Sequence, residues 1–501
     1  MKNIFMVDLS HNYYVDIAKK LTESDLRIKV IGASRLLEYW PSSLNEYISL
    51  VNPRIVLWED LCMPESFARV FDPDYSVLSL GAFSELAYYE KLFLLSTDRL
   101  SFFPISQIDR CRLFYRYISH FYNILKKEQI DSVIFFGTPH GPWSIALFGL
   151  AKIINLDAIY VDWVGLSPDL STIETQLHIR RSYSPDEMDL GLVANSDESK
   201  RISDIVTKSI DAELVWTVTK HINRPMAALR TIGSLLLKRP LEEYTSPELF
   251  LNPGRRKRIC YAFPLIKYFI NTGQVQRFYE KNTSDDLPDN KSLVLFLHLQ
   301  PEASSMPMGG IFADQLLVLD LILTALPEGM NVYVKEHPFM FEALAQDRHE
   351  RTVEFYAHML KDPRVRFVKR SVNSKLLMKN AKFVASTVGS ISWESMRAGK
   401  PCVIFGWAWF SSCESCFSVD SVESLKSAFK VASIKSRDNV LADVRDFLDK
   451  LKNRLIYAAG CRPALNYLSE DYSYDKSVVN LSSAIGLSIG ISSAPAPSED
   501  Q

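Results

Sequence analysis

The sequence predicts an α/β protein in which two doubly wound, Rossmann-like domains face a central cleft, with a helical insertion between them. Short apolar runs alternate with amphipathic stretches near both ends of the chain, which is typical of parallel sheets covered by helices on both faces. A long charged stretch without strand-like runs separates the two alternating regions. The length of 501 residues also exceeds what one hydrophobic core usually supports.

The first domain is predicted over residues 1–185. Its strand-like runs are short, rich in β-branched or aromatic residues, and bounded by polar or turn residues. They are Asn3–Val7, Ile28–Ile31, Arg54–Trp58, Ser132–Phe136 and Ala158–Val161. Amphipathic patterns predict helices between several of them, at Tyr14–Leu21, Arg110–Lys126 and Trp143–Ile153.

Residues 186–287 are predicted to form a helical insertion or linker, because charged, helix-like segments replace the strands there. This stretch contains the basic cluster Arg255–Arg258, followed by aromatic residues. A solvated helix face is the simpler interpretation of the cluster. Contact with an anionic lipid surface or a phosphorylated partner is the alternative.

The second domain is predicted over residues 288–485, where the alternation resumes. Its strand-like runs are Ser292–Leu297, Val332–Val334, Arg366–Val368, Phe383–Ala385 and Cys402–Phe405. Helices are expected at Phe312–Leu326, at Thr352–Leu360 and from Ser392. We expect the helices after Ser421 to cross back toward the first domain, and residues 486–501 to form a disordered tail rich in Ala, Pro, Ser and acidic residues.

Charge and composition restrict the partners. With 57 Lys and Arg against 59 Asp and Glu, the net charge is -2, so no global positive field would hold nucleic acid. Seven scattered cysteines do not form a disulfide framework and fit a reducing cytoplasm.

The amino terminus enters a strand-like run directly, without a secretory signal, and no apolar window reaches the roughly 20 residues that cross a bilayer. We expect a cytoplasmic protein with at most peripheral contact at the inner face of the cytoplasmic membrane.

No metal site is expected. Cys413 and Cys416 form a C-x-x-C, but no second pair or nearby histidine completes a metal set. Asp72-Pro73-Asp74 mimics the D-x-D of metal-dependent enzymes, but such short motifs are common by chance and no clear strand precedes it.

The first candidate group follows the run Ser292–Leu297. There the chain presents an imidazole, an amide, a carboxylate and a hydroxyl, on His298, Gln300, Glu302 and Ser304. Pro301 biases the residue before it toward an extended backbone, and the two glycines at 309 and 310 allow a ligand to approach closely. A solvated loop glutamate is the alternative interpretation of the carboxylate.

A second group follows Val332–Val334 and consists of Lys335, Glu336, His337 and Pro338. The imidazole of His337 could donate to a phosphate or hold a carboxylate in place. A strand-end histidine satisfied by backbone is the alternative.

A third group follows Phe383–Ala385, where hydroxyls and a glycine lead into a helix. Its members are Ser386, Thr387, Gly389, Ser390, Ser392 and Glu394. Free N–H groups and the dipole at a helix amino terminus suit a phosphate. Glu394, expected on the first turn, could accept from ribose hydroxyls. The alternative is a plain helix cap by Ser390.

In open α/β sheets ligands bind at the carboxyl ends of the strands, so we expect these three groups to meet at one sheet edge. His140, in the stretch Phe135–Trp143 of the first domain, also follows a strand and precedes a helix. It is a candidate contact or acid/base group on the other side of the cleft, or a packing residue beside Trp143.

These residues resemble bacterial capsule polysaccharide biosynthesis proteins, in particular the Kdo transferases of capsule and lipopolysaccharide assembly and related GT-B enzymes that use CMP-activated nonulosonic sugars. The resemblance covers about Ser292–Phe410, with a weaker echo at Phe136–Ala151. Its motifs are K-x-H-P, matched by Lys335–Pro338, and a Ser/Thr-rich turn leading to a Glu and G-K-P, matched by Ser386–Pro401.

The resemblance implies a metal-independent GT-B glycosyltransferase that moves a sugar, with a CMP-linked acidic sugar as the expected donor, onto a glycan or glycolipid acceptor held by the first domain. In the retaining capsule Kdo transferases a Gln is followed by an Asp and Ala-Ser, and that Asp attacks the sugar. Residues 300–304 resemble a shortened counterpart with Glu302 in place of the Asp, so Glu302 is expected to act as nucleophile or as general base.

Within the same resemblance, His337 is expected to bind phosphate or orient carboxylates, and the third group to hold the nucleotide. No cofactor is expected beyond the donor. Two alternatives stay open: a sugar-nucleotide epimerase, which needs no acceptor, and a non-catalytic polysaccharide assembly or export protein.

Overall fold

The computed structural model describes residues 1–7, 9, 11–33, 42–57, 80–100, 106–164, 177–183, 259–284, 286–300, 305–338, 340–341, 351–459 and 472–491. Three features discussed above lie outside these residues: the D-x-D at 72–74, the basic cluster at 255–258 and the tail from 492 onward. Glu302 and Ser304 also lie outside them.

Two sheets organise the described chain, as the sequence predicts. The first has six strands in the order β3-β2-β1-β4-β5-β6. All neighbours pair in parallel except β5 and β6, which pair antiparallel. The strands are β1 (Lys2–Val7), β2 (Leu26–Ala33), β3 (Arg54–Leu57), β4 (Ser132–Phe135), β5 (Asp157–Trp163) and β6 (Leu177–Arg180).

Helices cover both faces of this sheet. They are α1 (Asn12–Thr22), α2 (Ser42–Val51), α3 (Leu80–Leu100), α4 (Gln107–Lys127) and α5 (Pro142–Ile153). Successive residues of a strand point to opposite faces; accordingly Phe5 belongs to the core beneath α3, α4 and α5, and Ile4 to the core beneath α1 and α2. These helices therefore bury apolar residues over both faces of the sheet, and α5 is buried on all sides from Pro142 to Ala151.

The second sheet has seven parallel strands in the order β13-β12-β11-β8-β9-β10-β7. They are β7 (Thr283–Ser284), β8 (Ser292–Phe296), β9 (Asn331–Lys335), β10 (Val365–Val368), β11 (Phe383–Ser386), β12 (Cys402–Ile404) and β13 (Cys416–Ser418). From β8 the chain builds outward through β9 and β10, then returns to the other side of β8 with β11. The order therefore reverses between β8 and β11.

Among the described residues, seven α-helices accompany the second sheet. They are α6 (Ile259–Lys281), α7 (Gln315–Ala325), α8 (Val353–Met359), α9 (Ser374–Asn380), α10 (Ser390–Arg397), α11 (Val422–Ile434) and α12 (Arg437–Leu451). Leu293 and Leu295 of β8 face one core and Val294 faces another. Both faces of this sheet are covered, so the second unit is also doubly wound.

The last helix, α13 (Tyr474–Ser488), packs on α1 of the first unit. The hydroxyl of Tyr13 lies 2.6 Å from that of Ser477, and both are buried. The expected crossing back of the chain is confirmed for this helix, whereas α11 and α12 stay with the second sheet. The helix also runs past residue 486, where we expected the tail to begin, and Ile491 is buried.

Several elements differ from the sequence predictions. The structure adds α2, α3, α9, β6 and β13, which the sequence patterns did not indicate. Residues 186–258 of the predicted helical insertion lie outside the described residues. In the rest of the stretch to residue 287, α6 is helical as predicted, but Thr283 and Ser284 pair in parallel with β10, so the prediction of no strand there is wrong. No helix among the described residues is long and apolar enough to span a membrane.

Candidate functional site

The candidate site lies where the order of the second sheet reverses. Strand β8 lies between β9 and β11, so the loops after these three neighbouring strands emerge side by side at the carboxyl edge. These loops carry the three residue groups singled out in the sequence. A reversal point of this kind leaves a crevice outside the strand ends, which is where open α/β sheets bind ligands.

His298 joins two of these loops. Its ring Nε2 accepts a hydrogen bond from the backbone N–H of Val388, 3.0 Å away on the loop after β11. The backbone N–H of His298 donates to Oε1 of Gln315 over 2.8 Å. Burial, together with the nearby charges of His337 and Arg351, lowers the pKa of His298 to about 3. The imidazole is therefore neutral near pH 7, with its proton on Nδ1 and its Nε2 lone pair committed to the loop.

The loop after β11 is shaped by a short hydroxyl network. Oγ of Ser386 accepts from the N–H of Gly389 over 3.0 Å and lies 2.8 Å from Oγ of Ser392. The Thr387 carbonyl accepts from the N–H groups of Phe405 and Gly406 at 2.9 and 3.1 Å. These bonds hold the loop against β12 and set where α10 begins.

Helix α10 starts at Ser390 with Gly389 as its N-cap, and no side chain caps it. The alternative that Ser390 is the cap is therefore wrong. The expectation that Glu394 lies on the first turn is also wrong, because the helix starts two residues earlier than predicted and no acidic residue occupies that turn. Glu394 is buried one turn further along, while Ser390 is exposed. The helix start thus presents backbone N–H groups at the sheet edge, a geometry that suits an anion.

The last residue of β9 and the three residues after it divide into buried and accessible ones. The Lys335 ammonium donates to the Val372 carbonyl, and burial lowers the pKa of this lysine to about 8. Glu336 is fully buried, and its Oε1 accepts from the N–H of His337 over 2.6 Å. His337 is partly exposed and Pro338 is exposed. Of the polar side chains in this group, only His337 is partly exposed, while Lys335 and Glu336 are buried and shape the loop beneath it.

Arg351 ties the first two groups together. Its Nε donates to Oε2 of Glu336 over 3.0 Å, one terminal nitrogen donates to Oε1 of Gln300 over 2.9 Å, and the other donates to the His298 carbonyl over 3.0 Å. Only 3% of this side chain is exposed, so the ion pair with Glu336 is shielded from water. A buried pair of this kind is stable only when its remaining donors and acceptors are satisfied, as they are here.

Arg351 was not predicted from the sequence. It follows a run of mixed charged and polar residues, with no strand or motif beside it to mark it. Tyr356 completes the cluster, because its hydroxyl also donates to Oε2 of Glu336. Gln300, for its part, donates to the Ala313 carbonyl. The polar groups of Gln300 and Glu336 are thus engaged within the protein, which indicates that these two residues hold the loops in place.

On the first sheet, His140 lies where the sequence predicts, in the loop after β4. It is exposed, and its Nδ1 lies 2.7 Å from the Thr138 carbonyl. A carbonyl can only accept, so Nδ1 carries the proton. The catalytic assignments of His140, His337 and Glu302 stay predictions from the sequence.

The two sheets meet close to the candidate site. The guanidinium of Arg180, on β6, stacks on the ring of Trp407 at 3.1 Å from its centroid. The N–H of Trp407 donates to the Met308 carbonyl over 2.8 Å. A side chain of the first sheet therefore contacts a loop that borders the predicted nucleotide site.

The C-x-x-C offers no reactive thiolate. Cys413 and Cys416 are both buried, and burial raises the pKa of Cys413 to about 12 and that of Cys416 well above its usual value. Within the described ranges, no group of three or more His, Cys, Asp or Glu side chains is placed to hold a metal ion.

A family comparison bears on the same part of the chain. Residues 259–413 match the model of a family described as capsule polysaccharide biosynthesis protein. This segment, less than a third of the chain, is similar to proteins of that family. The match includes β8, β9, β11 and α10 with the loops between them, so the capsule-synthesis segment, residues 259–413, contains all three residue groups of the candidate site.

Solved structures with detectable likeness include two kinds of enzyme. The UDP-GlcNAc 2-epimerase of Methanocaldococcus jannaschii is 12% identical, over 87% of this chain and 94% of that chain, with a TM-score of 0.23. The KpsC β-Kdo 2,7 transferase of Thermosulfurimonas dismutans is 11% identical, over 72% of this chain and 88% of that chain, with a TM-score of 0.27. The β-Kdo 2,4 transferase of the same protein is 13% identical, over 64% of this chain and 88% of that chain, with a TM-score of 0.26. With identities and TM-scores this low, these likenesses identify no activity. No curated protein matches the sequence significantly.

Proposed function

We propose that this protein is a glycosyltransferase that moves a CMP-activated acidic sugar, such as Kdo or another nonulosonic acid, onto a capsule or lipopolysaccharide precursor. The observation that carries the proposal is the junction between His298 and Val388, which fixes a helix amino terminus at the reversal point of the second sheet. This junction lies inside the capsule-synthesis segment.

The nucleotide phosphate would bind at the start of α10. The N–H groups there are not capped by a side chain, and the helix dipole favours negative charge. His337, partly exposed on the adjacent loop, would donate a further hydrogen bond. Fixed donors of this kind stabilise the charge that develops on a leaving phosphate. In this proposal they do so without a metal ion.

Transfer would need a carboxylate near the anomeric carbon, and Glu302 is the residue the sequence offers. Gln300, two residues before it, is held by Arg351 and by the Ala313 carbonyl. The start of the loop that carries Glu302 is thus anchored beside the nucleotide site. Glu302→Gln is expected to abolish transfer and to change nucleotide affinity only a few-fold.

A thermal-shift panel of CMP, CDP, UDP and GDP, with and without EDTA, tests the donor assignment, because a ligand that binds the native state raises the melting temperature. Stabilisation by CMP that EDTA does not change supports the proposal. Stabilisation by UDP or GDP alone contradicts the CMP donor. Turnover of a nucleotide sugar without an acceptor and without nucleotide release identifies an epimerase, and glycan binding without turnover identifies a non-catalytic assembly protein.

A further inference from the structure

The first sheet buries a histidine that has no part in the candidate site. His178, on β6, has no exposed surface, and neither of its ring nitrogens has a hydrogen-bond partner in the described part of the chain. Its Nε2 lies 3.5 Å from Oδ2 of Asp162, without the geometry of a hydrogen bond. Native proteins leave few buried polar groups unsatisfied, and each one needs an explanation.

Asp162 is the reachable member of this pair. It lies near the carboxyl end of β5, directly opposite His178 in the antiparallel ladder, and 15% of its side chain is exposed. Its Oδ1 accepts from Oγ1 of Thr138 over 2.8 Å and from the N–H of Trp163 over 2.9 Å. Oδ2, which faces His178, accepts no hydrogen bond from these two donors.

The charges around Asp162 decide which chemical group it can bind. We call Asp162, Thr138, His178 and Arg180 the Asp162 cluster. Burial alone would raise the pKa of Asp162, but the net shift is downward, and the Arg180 guanidinium and the Thr138 hydroxyl contribute to it, so the group is a carboxylate at neutral pH. Burial lowers the pKa of His178, so the imidazole is neutral. A carboxylate repels a phosphate, and the Arg180 guanidinium beside it disfavours an amine. A neutral hydroxyl, which donates to the carboxylate, fits both conditions.

A series of contacts connects the Asp162 cluster with the predicted nucleotide site. Arg180 stacks on Trp407, and Trp407 donates to the Met308 carbonyl. The next residue, Gly309, is so close to Thr387 that an added Cβ would lie 2.9 Å from its methyl group. The cluster on the first sheet is therefore connected by direct packing to the hydroxyl-rich loop of the second.

We propose that Asp162, with Thr138 and His178 beside it, binds a hydroxyl group of the glycan that receives the sugar. Asp162 accepts the hydrogen bond from that hydroxyl, and Thr138 is a positioning residue, because its own hydroxyl donates to Oδ1 of Asp162. This inference rests on the proposed glycosyltransferase function, for which it names the acceptor side. No proton or group transfer is assigned to Asp162.

The test compares two substitutions on one strand. Asp162→Asn removes the charge at the carboxyl end of β5. Asp157→Asn makes the same change at the amino end, where the carboxylate pairs with Arg181, and is the matched control. Each protein is assayed for CMP release from CMP-Kdo in water and in the presence of a soluble oligosaccharide ending in Kdo. Binding of that oligosaccharide is measured separately by saturation-transfer NMR.

We expect Asp162→Asn to raise the KM for the oligosaccharide by about tenfold or more, since it loses a charge-assisted hydrogen bond. CMP release into water should stay within about threefold of wild type, because the donor site is untouched. Thr138→Ala should raise the same KM without changing release into water. Asp157→Asn should leave both quantities unchanged.

Equal oligosaccharide binding by Asp162→Asn and Asp157→Asn overturns the inference, as does the absence of binding by the wild-type protein at millimolar oligosaccharide. If the wild-type protein binds the oligosaccharide through Asp162 but releases no CMP under any condition, the proposed transfer function fails and the hydroxyl site stands. The NMR measurement therefore distinguishes failure of the hydroxyl-binding site from failure of the proposed transfer function.

Discussion

The N–H of Val388 donates to Nε2 of His298 over 3.0 Å and so joins the ends of β11 and β8, the two strands between which the second sheet reverses its order. Because Nε2 must keep its lone pair to accept this bond, the junction exists only while the imidazole is neutral. The protonation state of one buried histidine is therefore linked to the shape of the predicted nucleotide site.

This linkage predicts a pH dependence of stability. In the unfolded chain His298 takes up a proton near pH 6.5, whereas in the folded protein its pKa is about 3. Between these values acid stabilises the unfolded state, so the histidine costs the fold up to about 1.4 kcal/mol for each pH unit below 6.5. Urea unfolding at several pH values should show a steeper loss of stability for wild type than for His298→Gln. Parallel curves for the two proteins would contradict the neutral, buried histidine.

Arg351 should be one of the most sensitive positions in the second unit. Arg351→Met leaves the fully buried Glu336 without its cation, and breaking such a pair costs about 3 to 5 kcal/mol. The matched control is Arg364→Met, which removes the partner of Asp362 from a pair whose arginine side chain is 40% exposed; surface pairs contribute about 1 kcal/mol or less. Chemical denaturation measures both changes.

The double variant Glu336→Gln, Arg351→Met separates loss of the pair from loss of packing. Removing both charges should restore part of the stability that Arg351→Met loses, because no uncompensated charge stays buried. A double variant no more stable than Arg351→Met alone would show that the arginine acts through packing, for instance on the ring of Phe355, 4.3 Å from its guanidinium carbon.

These residues show how far the sequence could predict the structure. The two doubly wound units and the strand ends that carry His298, His337 and Ser386 follow from local patterns, since β-branched runs bounded by polar residues mark parallel strands. Arg351 could not be predicted, because its partners lie 15 to 53 residues away and are brought together only by the sheet order. The position of Glu394 was missed because the Ser386 hydroxyl, which accepts from the Gly389 N–H, sets the start of α10 two residues earlier than the sequence pattern indicates.

Close packing around Gly406 should make that residue intolerant of a side chain. A Cβ there would lie 2.5 Å from the Met308 carbonyl oxygen and 2.7 Å from Cγ1 of Val388. Because backbone atoms cannot yield as a side chain does, Gly406→Ala should cost about 1 to 3 kcal/mol and weaken nucleotide binding at the adjacent loop.

The control for this change is Gly273→Ala, on α6, where an added Cβ meets nothing within 4 Å. That substitution should stabilise the protein by about 0.5 to 1 kcal/mol, as alanine is the better helix former. Thermal unfolding of the two variants should therefore shift in opposite directions. A Gly406→Ala protein as stable as wild type would show that the loops after β11 and β12 can move apart.

The hydroxyl of Ser386 should affect nucleotide affinity more than stability. It accepts from the Gly389 N–H and contacts the Ser392 hydroxyl, so it fixes the turn from which α10 presents its N–H groups. Ser386→Ala frees that turn, and donors that must be ordered on binding give weaker affinity. We expect the Kd for CMP, measured by calorimetry, to rise about tenfold, equivalent to about 1.4 kcal/mol.

Ser395→Ala is the matched control, because its hydroxyl is also buried and donates to the Lys400 carbonyl over 3.1 Å, but beyond the other end of α10. It should lower the melting temperature as much as Ser386→Ala does and leave the Kd for CMP unchanged. If both serine variants bound CMP equally, the start of α10 would not be the phosphate site. If both lost affinity in proportion to their loss of stability, the effect of Ser386 would be one of folding. Only a loss of affinity confined to Ser386→Ala places the nucleotide at the amino end of this helix.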